Sequence, residues 1–139
     1  MVQLIVGNKG KGKTKILLEK VNSEVQNCLG SVVYLDKSTK HMFELNNKVR
    51  LINVPDFCVS TTDGFLGFVS GIISQDRDLE KAYFDSFLDI ADLKSKDITP
   101  AIKVLQELSG KFNVDFVLSV SMDEEELPEE LKDLVIASL

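Results

Sequence analysis

The sequence has 139 residues, 44% hydrophobic and 27% charged, with 16 Lys plus Arg against 22 Asp plus Glu for a net charge of -6. That length and hydrophobic share suit one ordinary domain, residues 1–139, with a single core that needs no disulfide framework or structural metal, and they exclude a disordered chain. The acidic balance excludes a generic nucleic-acid coat, which needs a basic face.

The first residues, Val2 to Val6, form an apolar run broken only by Gln3. The run is too short for a secretory core or a membrane span and reads as a strand, so a cytoplasmic protein is expected. Ile16, Leu17, Val21, Val25 and Cys28 then fall near one helical stripe that ends at Gly30. Ser31 to Asp36 reads as a second buried strand. Residues 37–48 fit either a short helical turn around Met42–Leu45 or a strand pairing with the next one, Val49 to Val54, which Pro55 closes. Gly64 to Ile73 carries apolar residues at helical spacing, and Leu79 to Leu88 contains a fourth strand centred on Ala82–Asp85.

Thr99 followed by Pro100 makes a helix start, and Gly110 is its expected stop. Val114 to Ser121 reads as a fifth strand, and Pro128 to Ile136 as a last amphipathic helix behind an acidic stretch. Apolar strands alternating with helices imply a parallel sheet covered on both faces. Cys28 and Cys58 lack the paired spacing of zinc ligands or redox dithiols and are expected to be reduced, buried thiols.

Charge is unevenly spread. Residues 1–121 hold 15 basic and 15 acidic side chains, while residues 122–139 hold seven acids against Lys132. The acidic end is expected to stabilise the start of the last helix through its dipole. The opposite block is Gly7-Asn8-Lys9-Gly10-Lys11-Gly12-Lys13-Thr14, which satisfies G-x-x-x-x-G-K-[ST] directly after an apolar strand and before an amphipathic helix. Glycines there allow a tight turn whose backbone N–H groups point inward at a phosphate chain, and the new helix offers its free N–H groups to the same anion. Lys13 would reach the β- and γ-phosphates, and Thr14 would give its hydroxyl to Mg²⁺.

Through residues 7–14 the chain resembles the P-loop NTPases. The resemblance implies a three-layer α/β/α fold with a mostly parallel sheet of about five strands, ATP and Mg²⁺ as ligands, and a metal-holding Asp at the end of an apolar strand. Asp85, after Tyr83 and Phe84, matches that position, with Asp89 as its rival. Neither a D-x-x-G switch nor an N-K-x-D segment is present, which favours ATP over GTP. With only Arg50 and Arg77, the chain lacks the arginines of a phosphoryl clamp and looks more similar to the RecA- and AAA-like ATPase branch. That likeness implies that Ser119 or Ser121, at the end of the last strand, senses the γ-phosphate.

The sequence departs from the branch where hydrolysis is concerned. Ser86 follows Asp85 where a water-orienting glutamate often stands, so Asp36 is the nearest carboxylate for that role and Glu44 a distant reserve. His41, the single His, is expected on the surface or at an interface, and the two arginines in surface ion pairs. Two readings follow: a small Mg²⁺-dependent ATPase, assembled with itself or acting on a protein partner, or a nucleotide-binding switch that turns ATP over slowly or not at all. A small-molecule kinase is a third.

Overall fold

A computed structural model describes residues 1–139. Six strands, β1 (Val2–Val6), β2 (Ser31–Asp36), β3 (Val49–Asn53), β4 (Leu79–Phe84), β5 (Asp115–Val120) and β6 (Val135–Ser138), form one sheet in the order β3-β2-β4-β5-β1-β6. Every pairing is parallel, with Leu4 beside Leu118 and Val33 beside Ala82. Four α-helices accompany it: α1 (Lys13–Glu24), α2 (Thr62–Gln75), α3 (Phe87–Ile90) and α4 (Thr99–Phe112).

Strand side chains alternate between two cores. On one face Leu4, Val33, Leu35, Phe84, Phe116 and Leu118 pack with Phe65 and Val69 of α2 and Ile102 and Leu105 of α4. On the other, Ile5, Val32, Tyr34, Tyr83 and Val117 pack with Leu17, Leu18 and Val21 of α1. The alternating strand–helix order thus yields a sheet covered on both sides. No helix is long and apolar enough to cross a membrane.

Several local expectations are corrected. The last segment is not an α-helix: Glu129–Leu134 is a 3-10 turn, and Val135–Ser138 pairs with β1 as a sixth strand. Its four strand residues alternate half-buried and exposed, a period of two that overrides the helical pattern upstream. Of the two alternatives for residues 37–48, the short helical turn is the one observed, as a 3-10 turn over Met42–Glu44. Helix α4 runs past Gly110 to Phe112, where Asn113 takes the left-handed conformation (φ 57°) that ends it. Helix α1 ends at Glu24 and tightens into a 3-10 turn at Val25–Asn27, short of Gly30. Thr61 caps α2 by accepting a hydrogen bond from the Gly64 amide, so that helix begins two residues ahead of Gly64. Cys28 is half-buried and Cys58 exposed, because Cys58 occupies a left-handed turn (φ 59°) outside the core.

Gly30 has a different role from the expected helix stop. A Cβ there would stand 2.0 Å from the Asp78 carbonyl oxygen, a backbone atom that accepts the Ser31 amide at the start of the β2–β4 pairing. Gly30→Ala must push these strands apart and is expected to cost about 1–3 kcal/mol. Chemical denaturation of the two proteins checks this, and an unchanged midpoint would show that the backbone yields freely.

Candidate phosphate-loop site

Because the strands are parallel, their carboxyl ends lie along one edge of the sheet, where ligands of open α/β sheets bind. The loop after β1, Asp36 at the end of β2, Asp85 just after β4 and Ser119 of β5 meet there. They line a cleft of about 360 Å³ with no hydrophobic residue in its wall.

Residues 7–12 turn the chain from β1 into α1. Gly10 (φ 86°) and Gly12 (φ 97°) adopt left-handed backbone that a side chain would strain. Gly12 is the N-cap of α1, so no side chain satisfies the first amides, and no acidic residue lies in the first turn. Those N–H groups and the positive end of the helix dipole are left for an anion. Lys13 is buried and forms no ion pair; its Nζ donates to the Asn8 carbonyl at 3.1 Å, inside its own loop. Burial holds the Lys13 ammonium below its ordinary pKa, partly opposed by the nearby Asp85 carboxylate.

Asp85 is the hub. Its Oδ1 accepts hydrogen bonds from Ser119 Oγ (2.7 Å), the Ser86 amide (2.9 Å) and Thr14 Oγ1 (3.2 Å). Its Oδ2 accepts from Tyr34 Oη at 2.8 Å. Burial, then the Asp85 charge, pushes the Tyr34 phenol far above its ordinary pKa, so the hydroxyl remains a donor. Ser86, at φ 54°, makes the sharp left-handed turn that carries β4 into α3 and aims its amide back at Asp85 and at Ser119 Oγ. A non-glycine residue at positive φ beside a buried carboxylate is a form of strain found at functional sites.

Asp36 is 3% exposed, and its Oδ1 accepts the Lys37 amide at 2.7 Å while its Oδ2 is buried with no partner. Burial and then the neighbouring Asp85 charge raise the Asp36 carboxyl above the usual carboxylate range. Asp89 also lines the cleft, but Lys37 (3.0 Å) and Lys94 (2.7 Å) occupy it. Asp85, and not Asp89, therefore stands beside Thr14. Of the two serines, Ser119 contacts Asp85, while Ser121 is exposed at the rim.

The fold thus gathers Lys9, Gly10, Gly12, Lys13, Thr14, Asp36, Asp85 and Ser119 around one cleft. Gly7 underlies the loop, while Asn8 and Lys11 are outside the cleft wall with exposed side chains. Arg50 and Arg77 lie away from the cleft and form no ion pairs.

No family model matches the sequence, and no curated protein matches it. Among solved structures the chain is similar to the flagellar accessory protein FlaH from Methanocaldococcus jannaschii, with a TM-score of 0.61 at 16% identity over 93% of this chain. The fold is RecA-like. The chain spans 63% of the length of that protein. In this arrangement β5 lies between β1, which leads into the glycine-rich loop, and β4, which Asp85 follows, and that places Ser119 within hydrogen-bonding reach of Asp85.

Two residues of the site are ones that the sequence does not point to. Tyr34 reads in the sequence as one more apolar member of β2, and only the side-by-side register of Tyr34 with Tyr83 shows that its hydroxyl reaches Asp85. His41, expected on the surface or at an interface, is half-buried in the wall of the cleft. Its Nδ1 stands against Glu44, because the loop after β2 folds back over the strand ends.

Proposed function

We propose that this chain binds a nucleoside triphosphate with Mg²⁺ in the cleft, ATP rather than GTP, and hydrolyses it as a small RecA-like ATPase. The observation that carries this reading is the buried Lys13 cation at the uncapped start of α1, facing the Thr14–Asp85–Ser119 cluster in a wholly polar cleft. A desolvated ammonium without an anionic partner is costly, and a polyphosphate supplies that partner. The donor set also suits Mg²⁺, a hard cation that takes hydroxyl and carboxylate oxygens. Thr14 and Asp85 would hold it, and bound there it offsets negative charge on the phosphates.

The remaining roles follow from position. The amides of residues 10–13 and Lys13 Nζ bind and orient the phosphate chain, and Ser119 contacts its terminal group. Asp36 Oδ2, buried and without a partner, takes the proton of an attacking water as the water oxygen bonds to the γ-phosphorus. The bond from that phosphorus to the bridging oxygen breaks, and ADP leaves with the electron pair. Since neither arginine lines the cleft, no finger in this chain stabilises the transition state, and turnover is slow. The same observation supports a second reading, a switch that binds ATP without hydrolysing it; a kinase, which needs a phosphoryl clamp, fits least.

Calorimetric titration with ATP and Mg²⁺, paired with phosphate release, tests the proposal. Wild type is expected to bind, and Lys13→Ala to bind about 10- to 100-fold more weakly through loss of a charged hydrogen bond. Equal affinity in the two proteins overturns the phosphate-loop assignment. Binding with phosphate release no faster than in Lys13→Ala selects the switch.

A further inference from the structure

We propose that Asp36, His41 and Asp85 form a site for a divalent transition cation of the Mn²⁺–Co²⁺–Zn²⁺ class, which binds without nucleotide and is distinct in its ligands from the Thr14–Asp85 position. One donor atom from each of the three side chains lies within 4.8 Å of the other two. Ligands about 2.1 Å from a single ion stand roughly 3 to 4 Å from one another, so a small contraction of the three side chains closes the set.

Each ligand has the free valence that coordination requires. Asp36 is 3% exposed and its Oδ2 is a buried oxygen with no donor, beside a second buried carboxylate, the arrangement a cation relieves. Asp85 Oδ2 accepts only from Tyr34, which leaves a lone pair on that oxygen. His41 Nδ1 is engaged by Glu44 Oε2 at 2.5 Å, so Nε2 is the nitrogen available to a metal. A carboxylate on the far ring nitrogen is the usual companion of a metal-bound histidine, since it fixes the ring and raises its basicity.

The imidazole decides the class of ion. Mg²⁺ prefers oxygen ligands only, whereas one nitrogen with two carboxylates suits Mn²⁺, Co²⁺ and Zn²⁺, with affinity rising in that order apart from geometry. Asp85 is common to this site and to the Mg²⁺ position proposed above, and the new site requires neither Lys13 nor a phosphate.

The test is a Co²⁺ titration of the nucleotide-free full chain, followed by the visible d–d absorption, with Cys58→Ser as background to remove the exposed thiol. One saturable Co²⁺ per chain is expected, displaced by Zn²⁺ and not by an equal concentration of Mg²⁺. His41→Ala and Asp36→Asn should each weaken it roughly tenfold or more, with His41→Gln as a second variant if the first unfolds, while the remote Lys132→Ala leaves it unchanged. Absence of saturable binding, or binding equal in wild type and the His41 and Asp36 variants, overturns the proposal. ATP titrations of the same preparations keep the two readings apart: Co²⁺ binding without ATP binding fails only the nucleotide reading, and ATP binding without Co²⁺ binding fails only this one.

Discussion

Asp36→Asn is expected to melt at a higher temperature than wild type at pH 7 and, in the presence of ATP and Mg²⁺, to release phosphate about 10²- to 10⁴-fold more slowly. The two effects have one cause. Asp36 is a buried carboxylate with an unpartnered oxygen next to the Asp85 charge, and both burial and that charge raise its pKa in the folded protein. Below the ordinary value of 3.8 the group is protonated whether the chain is folded or not, and wild type and variant should be equally stable. As pH rises through the folded pKa, wild type comes to hold an ionised carboxylate in an environment that disfavours it, and stability is lost. The amide side chain introduced by Asp36→Asn keeps the acceptor for the Lys37 N–H and carries no charge, so the difference in melting temperature should open above pH 3.8 and persist to neutrality. Melting curves from pH 3 to 8 check this. A variant less stable than wild type at pH 7 would show that the Asp36 charge is compensated, and unchanged phosphate release would remove Asp36 from the proton-transfer role.

Most of the architecture was legible because it rests on patterns with a direct physical meaning. Val2–Val6, Ser31–Asp36, Val49–Asn53 and Asp115–Val120 are apolar runs of strand length, and each forms a buried or half-buried parallel strand within a residue or two of the expected bounds. The glycine-rich turn after β1 was legible for the same reason, since Gly10 and Gly12 adopt backbone that other residues resist. The carboxyl-terminal segment was not. Its Leu131 and Leu134 spacing mimics a helix, but Leu131 is fixed by burial in the main core, and the following four residues gain more by completing the open edge of β1.

The site was legible at its ends and obscure in its middle. Lys13, Thr14, Asp85 and Asp36 stand out because each lies within a residue of the start or end of an element, where the strand ends converge. The choice of Asp85 over Asp89 and of Ser119 over Ser121 depends on which side of a turn each lies, which register decides and composition does not. Tyr34 was hidden because a buried tyrosine in a strand looks apolar until its hydroxyl meets a partner. His41 was hidden because its position depends on a loop of 3-10 and irregular backbone whose course no periodicity reveals.

Phe65→Ala should destabilise the chain by about 3–5 kcal/mol and lower the melting temperature by on the order of 10 °C or more. Phe65 is fully buried in α2 and packs edge-to-face on Phe84 (5.3 Å, 84°) and Phe87 (6.1 Å, 71°). Phe84 in turn touches Phe116 of β5 at 5.5 Å. These rings flank the turn at the candidate site: Phe84 immediately precedes Asp85, and Phe87 immediately follows Ser86. The left-handed Ser86 has no glycine to ease it, so the turn depends on its two neighbours being held in the core. A cavity at Phe65 should therefore loosen Asp85 as well as the fold. The comparison is Leu105→Ala, which empties a fully buried aliphatic position of α4 in the same core at a cost of about 2–5 kcal/mol and removes no ring from the aromatic cluster. Measured well below both melting temperatures, affinity for ATP with Mg²⁺ should fall in Phe65→Ala and stay near wild type in Leu105→Ala. Equal affinities would mean that the hydrogen bonds from Tyr34, Ser119 and Thr14 suffice to hold Asp85, with the aromatic cluster serving stability alone.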